Sequence, residues 1–175
     1  MVLLVLDTQI WLTNKELYNY EKFVKNTKVI IEAARKNKVE VIYVQHDNGQ
    51  GTGFSVGDEG FEINPEFYPE KNEKRYIKNV SSAFQGTGLK EYLEEMREDT
   101  VVIVGLLTNF CMDATIKSAF EMGLKVIIPE GTNTTFDNPY MDKEKTCRYY
   151  NEFLWPGRFG ECLSVEETVR RMEKG

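Results

Sequence analysis

The order of apolar runs and amphipathic stretches predicts a three-layer α/β/α sandwich built on a mostly parallel, doubly wound sheet. Two observations carry this expectation. Val2–Leu6 and Thr100–Val104 are unbroken apolar runs, not alternating ones, so both faces of each strand must be covered. Strand candidates also alternate with helical stretches along the chain, which implies right-handed βαβ units and a parallel sheet. At 175 residues the chain is long enough to bury a core without disulfides or metals, and it reads as one domain over residues 1–175.

Val2–Leu6 is the first strand, stopped by the turn-capable Asp7. From Leu17 to Lys36 the residues Phe23, Val24, Thr27, Ile30, Ile31 and Ala34 share one helical face. Val39–Val44 reads as a second buried strand. Gln45 to Asn72 is a loop rich in Gly, Asn and Pro, of a length usually functional or mobile. Arg75–Lys78 suggests a short third strand and Thr87–Arg97 an amphipathic helix. Thr100–Val104 is the clearest strand, with Gly105 ending it. A helix is expected from Phe110 to Met122, stopped by Gly123 at the C′ position, then a strand Leu124–Ile128 closed by Pro129. The last third predicts a helix near Met141–Phe153, a short strand around Cys162 and a helix Val165–Met172. Ser164 would N-cap that helix, and Glu167 would complete a capping box. No repeat, low-complexity tract or linker interrupts this order.

Composition removes several function classes. The 22 basic and 28 acidic residues give a net charge of -6, and the basic ones are scattered, so the basic stripe of a nucleic-acid binder is missing. Val2–Leu6 is too short for a signal-peptide core or a membrane span, so a cytoplasmic protein with no membrane partner is expected. Cys111, Cys147 and Cys162 are an odd set in a chain without an export signal, which argues against structural disulfides. With one histidine, His46, and no CxxC or HxxxH pair, neither a metal site nor a cofactor is expected.

Open parallel sheets place their sites beyond the carboxyl ends of the strands. Asp7, His46, Lys78 and Cys111 all follow or close strand candidates, so the topology would gather them on one edge. Cys111 lies in a strand-to-helix connection, Gly105-Leu-Leu-Thr-Asn-Phe-Cys111. A helix N-terminus there would stabilise a thiolate and could hold an oxyanion. Cys111 also reads as a small buried apolar residue, Asp7 as a turn residue or N-cap, and Lys78 as a solvated lysine. Taken singly, the bland readings of Asp7 and Lys78 outweigh the catalytic ones, and for Cys111 the two weigh about equally.

Three segments taken together change that balance. Leu3-Leu-Val-Leu-Asp-Thr-Gln9, Lys78-Asn-Val-Ser-Ser-Ala-Phe-Gln-Gly-Thr-Gly-Leu89 and Val104-Gly-Leu-Leu-Thr-Asn-Phe-Cys-Met-Asp-Ala-Thr115, continuing to Ala119 and Gly123, are ordered and properly spaced. Over nearly the whole chain the sequence resembles the isochorismatase-like cysteine hydrolases. The resemblance implies the isochorismatase-like hydrolase fold, a catalytic triad of Asp7, Lys78 and Cys111, and a small-molecule substrate. It further implies a non-proline cis peptide between Leu106 and Leu107, with the N–H groups of Leu107 and Cys111 forming an oxyanion hole. A homodimer or higher homo-oligomer would follow from the same resemblance.

The sequence departs from two named branches of that family. Nicotinamidases carry an Asp-x-His…His metal site after the second strand, whereas this region reads Gln45-His-Asp-Asn48 and no second histidine exists. True bacterial isochorismatases generally lack the nucleophilic cysteine, which is present here as Cys111. The metal-free amidase and carbamoyl-hydrolase branch remains, acting on a small amide, carbamoyl or related C–N compound through a thioester. His46 either contacts substrate or a neighbouring subunit, or is a hydrogen-bonded loop histidine. Of the aromatic residues Trp11, Phe54, Tyr76, Phe110 and Trp155, only Trp11 and Phe110 adjoin triad positions and stand out as substrate-binding. Cys147 and Cys162 read as ordinary thiols. Two other classes stay open: a thiol redox protein, which would need a resolving cysteine that the sequence does not place near Cys111, and a non-catalytic binding protein, which would need none of the triad.

Overall fold

Every side chain of β1 (Val2–Leu6) is buried. Val2, Leu4 and Leu6 enter one apolar layer while Leu3 and Val5 enter the other, which is why the run does not alternate. Full burial of each such aliphatic side chain contributes about 1.5–3 kcal/mol, so this strand anchors both layers. The computed structural model describes residues 1–174. Its sheet has seven strands: β1, β2 (Glu40–His46), β3 (Lys74–Lys78), β4 (Thr100–Leu106), β5 (Lys125–Pro129), β6 (Asn133–Thr134) and β7 (Glu161–Leu163). The order is β3-β2-β1-β4-β5-β7, with β6 beside β4, and every pairing is parallel.

Two helices, α1 (Tyr20–Lys36) and α5 (Val165–Lys174), supply one layer through Phe23, Ile30, Ile31, Ala34 and Met172. The opposite layer holds α2 (Leu89–Glu95) and α3 (Asp113–Glu121), with Leu89, Leu93, Ile116 and Ala119 against the sheet. The sheet is thus doubly wound, and its strand order reverses between β1 and β4. A helix α4 (Lys143–Arg148) lies in the C-terminal third, ahead of β7 and α5. Among the described residues no helix is long and apolar enough to cross a membrane.

Several boundaries differ from the sequence expectation for local reasons. The first helix begins at Tyr20, not Leu17, because Asn19 adopts a left-handed conformation (φ 48°). The second begins at Leu89 because Gly88 is left-handed as well (φ 79°). Gly105 does not end β4: the strand runs on through Leu106 because Gly105 and Leu106 pair with Asn133 and Thr134 of β6, a strand the sequence did not suggest. The helix expected over Phe110–Met122 splits into a π-helical turn, Thr108–Met112, and α3. That expected over Met141–Phe153 divides similarly, with α4 N-capped by Asp142 and continued by a π-helical turn, Tyr149–Leu154. At α5 the Ser164 hydroxyl accepts from the Glu167 N–H at 3.1 Å, but the Glu167 carboxylate pairs with Arg170 and Arg171, so the box is half formed.

The long loop after β2 is stitched down. Ile10, Trp11 and Asn64 donate backbone N–H groups to Glu62, Gly60 and Thr8 respectively, and Phe61, Ile63 and Phe67 are buried. Two glycines have distinct structural costs. Gly105 (φ 127°) lies in register with Leu6, and a Cβ there would come within 2.0 Å of the Leu6 carbonyl oxygen. Gly123 (φ 83°) ends α3 with its N–H on the Phe120 carbonyl, while Leu124 donates to Ala119, a Schellman arrangement with open space around it. Gly105→Ala is therefore expected to cost about 4 kcal/mol or more, or to prevent folding. Gly123→Ala should cost only about 1–2 kcal/mol, the left-handed strain alone. Urea unfolding of both variants measures the contrast.

Candidate active site

β1 and β4 are neighbours whose following connections leave on opposite faces, so a crevice opens at their carboxyl ends. Asp7 leaves β1 in the left-handed region (φ 51°), its N–H held by the Val44 carbonyl at 2.9 Å. Aspartate tolerates this conformation better than most residues, and here it turns the carboxylate beneath the end of β3. Lys78 closes β3, and Cys111 sits in the π-helical turn after β4. The Lys78 Nζ donates to Asp7 Oδ2 at 2.8 Å and to Cys111 Sγ at 3.1 Å, and lies 3.3 Å from His46 Nδ1. The side chains of Asp7 and Lys78 are both fully buried. The second carboxylate oxygen, Asp7 Oδ1, is buried and takes no hydrogen bond among the described residues.

The turn carrying Cys111 is anchored on both sides. The Leu106–Leu107 peptide is cis, and the Leu107 carbonyl accepts the N–H groups of Phe110 and Met112 at 3.0 and 3.2 Å. Thr108 Oγ1 donates to Asn133 Oδ1 at 2.8 Å and Thr135 Oγ1 to Asn109 Oδ1 at 2.6 Å, which ties the turn to β6 and the segment after it. The Leu107 N–H donates to no backbone carbonyl among the described residues.

The electrostatics correct one expectation. A helix N-terminus was expected to favour the thiolate of Cys111. Burial, and next the Asp7 carboxylate, instead push the thiol up to about 12, opposed by the Lys78 ammonium. Cys111 therefore rests as a neutral thiol beside a buried carboxylate. Cys147 is buried, its Sγ 3.6 Å from Thr108 Oγ1, and burial pushes half-buried Cys162 up to about 11. All three thiols are free.

Of the aromatic candidates, Trp11 and Phe110 are more than half exposed, and Phe54 is buried beneath Trp11 with ring centroids 6.2 Å apart and planes 17° from parallel. Gly53 and Gly60 seat the indole: a Cβ on Gly60 would lie 2.3 Å from the Gly53 carbonyl oxygen and 3.2 Å from the Trp11 ring. Phe54 also tilts against His46 at 5.9 Å, so the aromatic wall reaches the residue beside Lys78. Trp155 instead belongs to the core, completely buried with its Nε1 on Asp113 Oδ1 at 3.0 Å, and Tyr76 packs against the same layer. Sequence reasoning passed over Gln9, whose side-chain amide clamps both backbone groups of His46, accepting its N–H at 2.8 Å and donating to its carbonyl at 2.9 Å. Its signals were a polar amide three residues after a buried strand's end and its place at the close of the first motif segment.

Fold and site together define an α/β protein with an Asp–Lys–Cys cluster, its ion pair buried and its thiol half-buried, at the switch point of its sheet. The isochorismatase domain family matches residues 1–153, and the chain belongs to that family of hydrolases. It is 32% identical to the isochorismatase family protein YrdC of Bacillus subtilis (strain 168) over 67% of this chain and 64% of that protein. It is 26% identical to nicotinamidase 3 of Arabidopsis thaliana (77% of this chain, 73% of that one). With the N-carbamoylsarcosine amidase of an Arthrobacter species it shares 25% identity (87% and 62%). The matched part thus spans less than two thirds of YrdC and of the carbamoylsarcosine amidase. The fold superposes on the crystal structure of a cysteine hydrolase from Pseudomonas syringae pv. phaseolicola 1448A with a TM-score of 0.90 at 23% identity, covering 99% of this chain and 92% of that one.

Two consequences of the site's electrostatics are measurable. Lys78→Met strands a buried carboxylate and is expected to cost about 3–5 kcal/mol in urea unfolding, part of which Asp7→Asn regains in the double variant. Because Asp7 raises the Cys111 thiol, Asp7→Asn should move the alkylation–pH curve of Cys111 toward acid. In the wild type, mass spectrometry after iodoacetamide should find Cys111 slow at neutral pH and fast only in strong alkali.

Proposed function

We propose that the protein is a metal-independent cysteine hydrolase of a small amide, carbamoyl or related C–N compound, with Asp7, Lys78 and Cys111 as the catalytic residues. The observation that carries this reading is the trio itself: one buried ammonium bridging a buried carboxylate and a half-buried thiol at 2.8 and 3.1 Å. A structural ion pair needs no thiol, and an inert buried thiol needs no ion pair.

In the proposed reaction Asp7 Oδ1, the free carboxylate oxygen, takes the proton of Cys111 as the sulfur attacks the substrate carbonyl carbon. Attack and proton transfer must be coupled, because a thiol held near 12 supplies almost no thiolate in advance. The carbonyl π electrons move to oxygen, where the N–H groups of Leu107 and Cys111 would hold the oxyanion. Collapse re-forms the carbonyl and breaks the C–N bond, and the leaving nitrogen takes the proton from Asp7. Water then gives a proton to Asp7 and attacks the thioester, and the departing sulfur recovers that proton. Lys78 stays charged throughout and stabilises whichever partner is anionic. The exposed faces of Trp11 and Phe110, with His46 at the end of β2, would line the approach for substrate.

The relatives support this class through their names: nicotinamidase and N-carbamoylsarcosine amidase both denote C–N hydrolysis. The test is ammonia release from a panel of small amides, carbamoyl compounds and nicotinamide, with and without chelator. Turnover should survive chelation, vanish in Cys111→Ala and fall about 10²–10⁴-fold in Asp7→Asn. Turnover that persists in a folded Cys111→Ala would refute the assignment of the nucleophile.

A further inference from the structure

A buried ammonium carries three protons and no lone pair, so it needs three acceptors. Lys78 finds two in Asp7 and Cys111, which the proposed reaction uses, and the third is His46 Nδ1 at 3.3 Å. His46 and Lys78 are register partners on the parallel strands β2 and β3, so their side chains leave the sheet side by side. The contact fixes the tautomer: an ammonium can only donate, so Nδ1 must accept and the proton of the neutral ring lies on Nε2. Gln9 grips both backbone groups of His46, and Phe54 packs against the ring, so the imidazole is held as firmly as the catalytic side chains.

We propose that His46 is a positioning residue whose neutral ring takes the third proton of Lys78 and so keeps the ammonium aligned between Asp7 and Cys111. Its effect on turnover rests on the hydrolase reading above; its protonation state does not. The charged groups facing the ring are Lys78 from β3, Asp7 from the end of β1 and Asp47 from the following loop, with the neutral Cys111 thiol beyond the ammonium. Burial, and then the Lys78 charge, hold the imidazole below its ordinary value against the opposite pull of Asp7, Asp47 and Val80. Protonation in acid would remove the acceptor and set a second cation against the ammonium. The site is therefore assembled at neutral pH and loosened below the range where free histidine titrates.

His46 is the single histidine of the chain, so its ring signals need no assignment. Proton–nitrogen correlation spectra of the full-length protein are expected to show the Nε2–H tautomer at neutral pH, with protonation only below about 6.5. An Nδ1–H tautomer, or a ring still charged at neutral pH, overturns the proposal whether or not the protein proves to be a hydrolase. On the amide that the panel yields, His46→Ala should lower kcat about ten- to a hundredfold with little change in KM. His46→Asn, whose Oδ1 can stand where Nδ1 stands but never ionises, should recover part of that loss and shed the acid limb of the kcat/KM profile. Wild-type kcat in His46→Ala, or an unchanged acid limb in His46→Asn, would equally overturn it. If the wild type hydrolyses nothing in the panel, the hydrolase reading fails while the spectra still decide the role of His46 toward Lys78.

Discussion

Burying the Lys78 ammonium is the constraint around which the rest of the site is arranged. An ammonium removed from water is tolerated only when its protons meet acceptors in good geometry, and its acceptors come from three separate parts of the chain. Asp7 arrives on β1, His46 on β2 and Cys111 on the turn after β4. Sheet register brings them together: Leu6 pairs with Val44 on one side and Gly105 on the other, and His46 pairs with Lys78. Because side chains alternate across a sheet, a slip of one residue in any of these pairings would turn a needed group to the wrong face. Gly105 enters for the same reason, since no side chain fits where β4 passes the Leu6 carbonyl.

The surroundings of Cys111 then set the kind of chemistry available to it. Cysteines that work as preformed thiolates need a dominant positive field. Cys111 has a cation at 3.1 Å, yet burial and the adjacent carboxylate outweigh it. Such a thiol is protected from casual oxidation and alkylation at rest, which weighs against a redox-sensing role. It suits a reaction in which substrate binding and proton transfer to Asp7 happen together. The unpartnered Asp7 Oδ1 fits that need: a buried acceptor left open costs stability, and the transferred proton would satisfy it.

How much of this could be read from the sequence depended on which forces were local. The strands β1 and β4 and the helix α1 were legible because their hydrophobic pattern is itself the record of which faces are covered. Asp7, Lys78 and Cys111 were legible as strand-end residues once the topology was known, and their motifs together set them apart from ordinary turn, surface and core residues. What escaped notice was non-local. β6 is two residues of pairing with no pattern of its own, and the extension of β4 through Gly105 depends on it. The π-helical turns answer to anchoring by Asn133 and Thr135, far along the chain. The thiol's upward shift also escaped, because it follows from burial and a carboxylate contact that spacing cannot reveal. Gln9 and Phe54 matter only through what they touch, His46 and Trp11.

The aromatic wall stands in a different relation to the sheet from the Asp–Lys–Cys trio. Asp7, Lys78 and Cys111 are fixed by pairing shared with the whole core, so changing one disturbs stability as well as chemistry. Trp11 is seated instead by Gly53, Gly60 and Phe54, all within one loop, and that loop is joined to the β1 extension by backbone hydrogen bonds. Backbone bonds do not depend on side-chain identity. The wall can therefore be rebuilt by changing a few loop residues while the register that aligns ammonium, carboxylate and thiol stays intact. On the proposed hydrolase reading, such an arrangement would let one cluster serve differently shaped C–N substrates. It would also place the determinants of substrate choice in the segment where the sequence carries the weakest pattern.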